Sequence, residues 1–426
     1  MSISKNYSKL MIKWAKDLYP LCRSLTGSGT LKTLHYFKKI HKDLIIISFK
    51  SGTKVFDWRI PLEWKITDGF FQHIKTKKKF AEFKKNNLHL LGYSYPINKI
   101  IPKSKLIKYL HTLKKQPNLI PYVTSYYKKS WGFCISENEK KKLPNGDYKV
   151  FINSRLFKGK LNLGELIIKG KLKKEILIST YICHPSMANN ELSGPVLSIA
   201  LIDYLKKNFK KTKYTYRFLF LPETIGSIAY LSKNYKTMKK NIIAGFVLSC
   251  VGDERNFSLI ESRLGNKLSD LAIESSISYK KNYKKYSFLH RGSDERQYCA
   301  PGIDLPVSVF CKTKFGEFEE YHTSADNFDL VTKKGLEQSF IIMSNIIYSF
   351  EKFLYPKTKY LAEPMLSKRA MYNTVSKKDL KNDDYLNLIA YCDGKHSIFE
   401  ISLIINKPLD YVIMKMNNLK INKLIS

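Results

Sequence analysis

Short apolar runs alternate with amphipathic stretches between about residues 172 and 353, and this alternation limits the fold more than any other feature of the chain. The apolar runs are ILISTYI, YTYRFLFL, IIAGFVLSCV and LPVSVFC, and a long amphipathic stretch covers about residues 334–353. Strands that lack polar alternation are buried on both faces, as in parallel sheets covered by helices. The pattern therefore predicts an α/β fold with a mainly parallel mixed sheet flanked by helices. In such a sheet the active site lies at the carboxyl ends of the strands.

Two regions outside this alternation have different patterns. From about residue 46 to 165, short β-rich runs such as YKVFINSRLF are separated by Pro, Ser-Gly and Asn-Gly turns, which is typical of strands. The last part of the chain contains short helical stretches around aliphatic side chains, with the size and rhythm of a winged helix. We therefore predict a discontinuous catalytic domain (1–48 and 166–360), an inserted mostly-β domain (49–165) and a small C-terminal winged-helix domain (366–426).

The chain has a formal net charge of +38. A field of this size attracts polyanions such as nucleic acids or anionic membrane surfaces. The lysines, however, are spread along the whole chain and accompany frequent Asn, Ile and Tyr, the residues that A/T-rich codons encode. Because the segment 385–426 also holds few arginines and no evident recognition stripe, we favour a bias of composition over a nucleic-acid partner.

The seven cysteines are scattered, and none lies in a C-x-x-C pair. Neither a disulfide framework nor a structural zinc knuckle is therefore indicated, and we expect most of them to be reduced and buried. No apolar run reaches the roughly 18 residues that cross a bilayer. The start of the chain lacks the apolar core and cleavage site of a signal peptide. We expect a cytoplasmic protein without a membrane partner.

Candidate residues for chemistry lie at or beyond the predicted strand ends. His184 follows the run ILISTYI, Glu223 ends the next strand, and His322 lies in a polar loop before the last long helix. Each has an ordinary alternative, as a turn histidine, a first-turn glutamate or a loop histidine. Asp294 adds a carboxylate in a loop before a strand, where a surface ion pair is an equal alternative. Together these residue types are suited to a metal site with a general base.

These segments, in this order, resemble the co-catalytic zinc aminopeptidases of the leucine aminopeptidase and glutaminyl cyclase clan. The chain is most similar to a bacterial branch of aminopeptidase-like proteins, often encoded near polysaccharide genes, with an inserted β domain and a C-terminal winged helix. The segments Pro20–Gly27, Val55–Trp58 and Pro222–Ser227 look like that branch. The resemblance spans nearly the whole chain.

The resemblance implies a role for each matching residue. His184 would be the first zinc histidine and His322 the last, and Glu223 would be the general base. Three positions depart from the clan's pattern: Asn190 stands at the metal-bridging aspartate, Ser249 at a second-site aspartate, and Thr224 at the second residue of a glutamate pair. A neutral amide oxygen is a much weaker bridge between two dications than a carboxylate.

The resemblance and its departures together predict one zinc rather than two. Both histidines and one carboxylate, Glu191 or Asp294, would hold it, because catalytic zinc commonly has three protein ligands and an open position. The predicted metal-site residues are His184, Asn190, Glu191, Asp294 and His322. Arg296 and Tyr298 are candidates for substrate binding.

Two functions of different classes are compatible with these residues. The first is a zinc-dependent aminopeptidase or amidohydrolase that acts on a small peptide or amide, with a link to surface polysaccharide metabolism. The second is an aminopeptidase fold that has lost catalysis and serves as a binding or scaffold protein. The inserted β domain could cover the cleft or mediate formation of a homo-oligomer, and its residues do not separate these roles.

Overall fold

The structure is a computed structural model and describes residues 2–369, 371 and 380–426. The predicted winged-helix domain therefore includes residues 370 and 372–379, which lie outside the described part of the chain.

An eight-stranded mixed sheet forms the centre of the molecule. In spatial order its strands are β1 (Ile45–Lys50), β10 (Lys160–Ile168), β12 (Thr215–Leu221), β11 (Glu175–Tyr181), β13 (Ile242–Leu248), β16 (Val307–Cys311), β14 (Phe257–Ile260) and β15 (Tyr283–Tyr286). The central strands β12, β11, β13 and β16 are parallel to their neighbours in this group. Antiparallel pairing begins where β10 and β14 join them. The predicted α/β fold with a mainly parallel mixed sheet is confirmed.

The central strands are buried on both faces. Every residue of β11 and of β12 is buried. Along β11, Ile176 and Ile178 belong to one apolar core, and Leu177 between them belongs to the other. Successive side chains of a strand point to opposite faces, so an uninterrupted apolar run is what a strand between two cores requires.

Helices cover both faces of this sheet. The first core contains side chains of α1 (Ser2–Leu18), α2 (Ser28–Ile40), α5 (Ser193–Asn208), α7 (Leu268–Ile277) and α9 (Lys333–Phe353). The second core contains side chains of α6 (Ile225–Asn241) and α8 (Glu295–Tyr298). Within the described residues, no helix combines the length and the apolarity that crossing a bilayer requires.

A second, four-stranded sheet packs on the second core. Its strands, in spatial order, are β5 (Lys79–Phe80), β4 (Glu63–His73), β9 (Asp147–Phe157) and β6 (Ile97–Pro102). Around it lie the pairs β2 (Lys54–Val55) with β3 (Trp58–Arg59) and β7 (Leu110–His111) with β8 (Phe133–Cys134), and the short helices α3 (Lys103–Leu106) and α4 (Glu137–Lys141). The limits predicted for an inserted domain, after residue 48 and before residue 166, fall within β1 and β10 of the large sheet. The division into domains stays a prediction.

The C-terminal region contains α10 (Leu380–Ala390), α11 (Ile398–Ile404) and α12 (Leu409–Ile421). A capping box between Ser397 and Glu400 starts α11, which satisfies two backbone donors at that helix end. The apolar side chains of α11 and α12 join the first core, where the rings of Phe399 and Phe350 lie 5.1 Å apart. This region is therefore packed against the large sheet's helices rather than tethered beside them.

Candidate functional site

The predicted site residues lie in loops at the carboxyl ends of the central strands. His184 follows β11, Glu223 follows β12 and Ser249 follows β13, while His322 lies in the loop between β16 and α9. Because these strands are parallel, their carboxyl ends share one edge of the sheet.

Four residues in these loops have left-handed backbone conformations. They are Ser186 (φ 47°), Thr224 (φ 64°), Cys250 (φ 52°) and His322 (φ 55°). Positive φ is uncommon for residues other than glycine, and it is most costly for a β-branched residue such as threonine. Such conformations persist only where the surrounding structure enforces them, and they cluster at functional sites.

The rings of the two predicted zinc histidines and of Tyr122 form a triangle. The ring centroids of His184 and His322 are 5.3 Å apart, and that of Tyr122 lies 5.1 Å from each. The Tyr122 amide donates to the His322 carbonyl oxygen at 2.8 Å. The ring of Tyr321 also stacks on that of His322, with 3.9 Å between the ring centroids. The structure thus brings both histidines together in an aromatic enclosure.

The two ring nitrogens of His184 have different surroundings. Nδ1 lies 2.9 Å from Glu191 Oε2, and Nε2 lies 3.8 Å from Glu223 Oε2. Burial alone would lower the pKa of His184, but the hydrogen bond and the charge of Glu191 outweigh it and raise the pKa. With Nδ1–H donated to Glu191, the lone pair of a neutral ring is on Nε2. Nε2 is therefore the atom available to a metal.

His322 presents an unpaired nitrogen. Its Nε2 atom is buried and has no hydrogen-bond partner among the described residues. Burial and the nearby charge of His184 lower the pKa of His322 to about 3, so the imidazole stays neutral and retains a lone pair. A buried polar atom without a partner is rare in native proteins. A metal ion would supply the missing partner.

Glu223 lies at the opening of this enclosure, with 23% of its side chain exposed. Burial raises the pKa of Glu223, and the charges of His184 and Arg296 partly oppose that effect. A carboxylate with a raised pKa beside a metal-binding nitrogen can accept a proton near neutral pH. The geometry is consistent with the predicted general base.

The two carboxylates predicted as zinc ligands have other partners in the structure. Glu191 accepts from His184 Nδ1 through one oxygen, and its other oxygen lies 3.5 Å from Arg23 Nε. Asp294 accepts from the Thr224 amide at 2.7 Å and from a serine hydroxyl, and burial raises the pKa of Asp294 to about 8. Both carboxylates therefore support the loops of the site. Glu223 is the carboxylate that faces the free nitrogen of His184.

Asn190 and Ser249 form a neutral network at the positions where the resemblance implies aspartates. The Tyr181 hydroxyl donates to Asn190 Oδ1 at 3.0 Å and lies 2.5 Å from Ser249 Oγ. Asn190 Nδ2 is buried and unpaired within the described structure. A network of neutral groups provides none of the negative charge that a bridge between two dications needs.

The two residues predicted for substrate binding differ in solvent exposure. Arg296 is exposed, and its guanidinium donates to the Thr224 hydroxyl at 2.9 Å, next to Glu223. Tyr298 has no exposed surface, and its hydroxyl pairs with Ser179 at 2.9 Å inside the fold. The placement of Tyr298 contradicts a substrate contact, because its position on α8 points it into the second core.

Cys183 offers a second way to group metal-binding atoms. Atoms of Cys183, His184 and Glu191 lie within 4.8 Å of one another. This group would use His184 Nδ1, which already contacts Glu191. Burial also raises the pKa of the Cys183 thiol well above its usual range, and metals bind the thiolate form. The side of His184 that faces Glu223 is the better site.

Three residues important to the site were not assigned roles from the sequence. Asp326 accepts from the amides of Asn189 and Asn190 and so fixes the π-helical turn Ala188–Leu192. Arg23 contacts the backbone of His184, and Tyr122 contacts the rings of both histidines. Arg23 lies in the segment Pro20–Gly27, and Asp326 lies in the polar loop that contains His322. Both segments belong to the sequence resemblance described above. Tyr122 has no local signal, because it reaches the site through long-range backbone pairing.

Comparison with known proteins relates this geometry to a family. Residues 12–352 match a family described as a domain of unknown function, DUF4910, and residues 354–426 match a winged helix-turn-helix family. A Clostridium acetobutylicum protein named "Putative polysaccharide biosynthesis protein with aminopeptidase-like domain" is 42% identical over 394 residues, which cover 91% of this chain and 89% of the relative.

Solved structures show the same fold. The crystal structure of a "putative peptidase" from Clostridium acetobutylicum has a TM-score of 0.90 at 38% identity and covers 99% of this chain and 97% of its own. BSAP, a zinc aminopeptidase from Bacillus subtilis, has a TM-score of 0.59 at 14% identity, over 81% of this chain and 94% of its own. That second likeness shows the fold alone. The chain belongs to the DUF4910 family, with an aminopeptidase-like fold and a C-terminal winged helix-turn-helix domain.

Proposed function

We propose that this protein is a zinc-dependent hydrolase that cleaves an amide bond in a small peptide or N-acylated compound. The observation that carries the proposal is the pair of imidazoles, His184 and His322, whose ring centroids lie 5.3 Å apart. His322 Nε2 is buried without a hydrogen-bond partner among the described residues, and His184 Nε2 faces Glu223 at 3.8 Å. Neutral imidazole nitrogens are common zinc ligands, and catalytic sites add a carboxylate and an open position.

We assign one zinc ion to the two histidines, with Glu223 beside it as the base and not as a ligand. Glu223 Oε2 lies 3.8 Å from His184 Nε2, within reach of a water molecule on a zinc held by that nitrogen. Among the described residues, only Cys183, His184 and Glu191 bring three His, Cys, Asp or Glu donor atoms within 4.8 Å of one another, so a further ligand has to come from another residue type. Asn190 can add a neutral oxygen, because rotating its amide by 180° exchanges oxygen and nitrogen. The Tyr181 hydroxyl, which now lies 3.0 Å from Asn190 Oδ1, can then accept from the amide nitrogen. Two zinc ions do not fit, since Asn190 and Ser249 supply no bridging or second-site carboxylate.

Zinc held there would polarise the substrate carbonyl and acidify a water molecule. The chain's own groups do the rest of the work. Glu223, with its raised pKa, accepts a proton from the attacking water and returns it to the leaving amine. Arg296 lies exposed at the same opening and can bind an acidic group of the substrate. Tyr122 closes one side of the enclosure and limits the size of the substrate.

The alternative is a protein of this fold that binds a ligand without cleaving it. The neutral network of Tyr181, Asn190 and Ser249 favours this second function, because it removes the charge on which two-metal chemistry depends. The name of the Clostridium relative refers to polysaccharide biosynthesis. It supports including N-acylated sugars, besides aminoacyl amides, among the substrates or ligands to be tested.

The deciding experiment measures zinc per chain on protein purified without a metal-affinity tag. We expect one zinc in the wild type and none in His184→Ala or His322→Ala. His290→Ala, which removes an exposed histidine, is the matched control and should retain the metal. Zinc-loaded protein should also hydrolyse members of an aminoacyl and N-acyl-sugar panel. A wild type that binds no zinc after reconstitution would establish the non-catalytic alternative.

A further inference from the structure

Arg23 is a fully buried arginine that contacts His184 from behind. It lies in the segment Pro20–Gly27, between α1 and α2. Its Nε atom donates to the His184 carbonyl oxygen at 3.0 Å, and its Nη1 atom donates to the Leu18 carbonyl oxygen at 2.6 Å. The same Nε atom lies 3.5 Å from Glu191 Oε1. One guanidinium group thus contacts both the backbone of His184 and the carboxylate that holds its ring.

Stability alone does not account for this arrangement. The side chains of Arg23 and Glu191 have no exposed surface, and a fully buried ion pair often stabilises a fold less than apolar side chains of similar volume. Arg23 Nη2 also has no hydrogen-bond partner in the described part of the chain, which adds a desolvation cost. A role in geometry explains why a charged group with an unpaired nitrogen occupies this position.

The contacts form a continuous relay from Arg23 to the opening of the site. Arg23 Nε lies near Glu191 Oε1, Glu191 Oε2 accepts from His184 Nδ1, and His184 Nε2 points toward Glu223. A carboxylate on one ring nitrogen fixes the tautomer and the ring orientation, so that the other nitrogen is presented to a metal. Arg23 fixes the relay at two points, the Glu191 carboxylate and the His184 backbone.

We propose that Arg23 is a positioning residue that, through Glu191, holds His184 in the tautomer and orientation that leave Nε2 free for zinc. The proposal rests on the proposed function in one respect, the binding of zinc by His184. It assigns Glu191 to the support of the histidine instead of to the metal, and it gives the Pro20–Gly27 segment a purpose at the site.

The test is a double-mutant cycle read out as zinc affinity. Competition with a chromophoric chelator gives the zinc dissociation constant of the full-length wild type, of Arg23→Lys, of Glu191→Gln and of the double variant. We expect either single variant to weaken zinc binding about 10- to 100-fold, as loss of a supporting contact does. The double variant should be no weaker than the worse single variant, because both act through one relay.

A matched control comes from a second buried ion pair. Arg217 and Glu175 are 9% and 7% exposed and lie 2.7 Å apart on neighbouring strands, away from the histidines. Arg217→Lys and Glu175→Gln should lower the Tm and leave the zinc dissociation constant unchanged. If Arg23→Lys does not fold, Glu191→Gln, which retains the side-chain volume, still tests the relay.

A spectroscopic readout separates positioning from general loss of stability. In zinc-loaded protein with 15N-labelled histidine, the wild-type His184 signal, assigned by its absence in His184→Ala, should show a protonated Nδ1 and a metal-bound Nε2. In Arg23→Lys and Glu191→Gln, the Nδ1 proton should exchange faster with water. Zinc constants in both variants within about two-fold of the wild type would overturn the proposal. A wild type that binds no zinc would instead overturn the proposed function itself.

Discussion

Two buried arginine clusters differ in how completely their polar atoms are paired. Around Arg217 every guanidinium nitrogen donates: Nε and Nη2 to Glu175, and Nη1 to Glu165 and the Tyr230 hydroxyl. Around Arg23, Nη2 has no partner within the described residues, and Glu191 Oε1 accepts no hydrogen bond. The first cluster joins neighbouring strands of the sheet, and the second adjoins the histidines.

This difference indicates which polar groups serve the fold and which serve the site. Native proteins pair nearly all their buried polar atoms, and the Arg217 cluster follows this rule. The described residues contain nine unpaired buried side-chain atoms, of which four are the hydroxyl oxygens of Thr212, Ser278, Ser293 and Ser349. The other five lie around the site: Arg23 Nη2, Asn190 Nδ2, Glu191 Oε1, Asp294 Oδ2 and His322 Nε2. Such a collection is consistent with a site that a metal or a ligand completes.

The largest expected effect is a loss of hydrolytic activity when Glu223, beside the histidines, is substituted. Glu223→Gln should lower the hydrolysis rate of zinc-loaded protein roughly 100- to 10,000-fold, because the amide cannot accept the proton of the attacking water. Zinc content, measured in parallel, should be retained. The control Glu165→Gln removes a carboxylate of the Arg217 cluster and should reduce Tm with little effect on rate. An unchanged rate in Glu223→Gln would show that another group is the base.

The second prediction concerns the contribution of the Arg217 cluster to the free energy of unfolding. Arg217→Met should reduce the free energy of unfolding by about 3 kcal/mol, because it leaves Glu175 buried without a compensating charge. The double variant with Glu175→Gln should recover part of that loss. Urea denaturation gives both values, and the zinc dissociation constant should stay at the wild-type level. A loss below about 1 kcal/mol would mean that water already solvates these carboxylates.

The sequence was sufficient to predict the framework of the fold. Strands β11 and β12 were recognisable because burial on both faces leaves no polar alternation. For the same reason His184 and Glu223 were recognisable as residues at strand ends, where a parallel sheet places its site. The departures at Asn190 and Ser249 were also evident, since each lies in a short segment whose pattern is otherwise retained.

The roles of individual side chains were less predictable, because they depend on long-range geometry. Glu191 is seven positions from His184, and only the path of the π-helical turn shows that it accepts from Nδ1. Tyr122 reaches the histidines because its segment pairs with the backbone around His322. The burial of Tyr298 depends on how α8 packs. None of these contacts can be predicted from the local spacing of residues.

A third prediction sharpens the comparison at Asn190. Asn190→Asp should tighten binding of the single zinc about ten-fold, because it adds a negatively charged ligand oxygen, while Ser249 still provides no carboxylate for a second ion. Without metal the same variant should lose about 1–2 kcal/mol of unfolding free energy, since the new charge is buried. Asn189→Asp is the matched control, because Asn189 donates to Asp253 and a carboxylate there would only repel. Equal zinc affinity in wild type and Asn190→Asp would place the metal away from this residue.

The smallest expected effect concerns Lys312, a buried cation with few partners. Its Nζ atom donates to Gln338 Oε1 at 2.6 Å and lies 3.3 Å from the centroid of the Phe257 ring. Burial lowers the pKa of Lys312 to about 7, so the unfolded chain binds more protons than the folded chain between about pH 7 and pH 10. The free energy of unfolding therefore rises with pH across this window. We expect Lys312→Met to remove about 1 kcal/mol of that rise between pH 7 and pH 8, measured by urea denaturation. The exposed control Lys333→Met should retain the wild-type slope, and an unchanged slope in Lys312→Met would show that this lysine stays charged inside the fold.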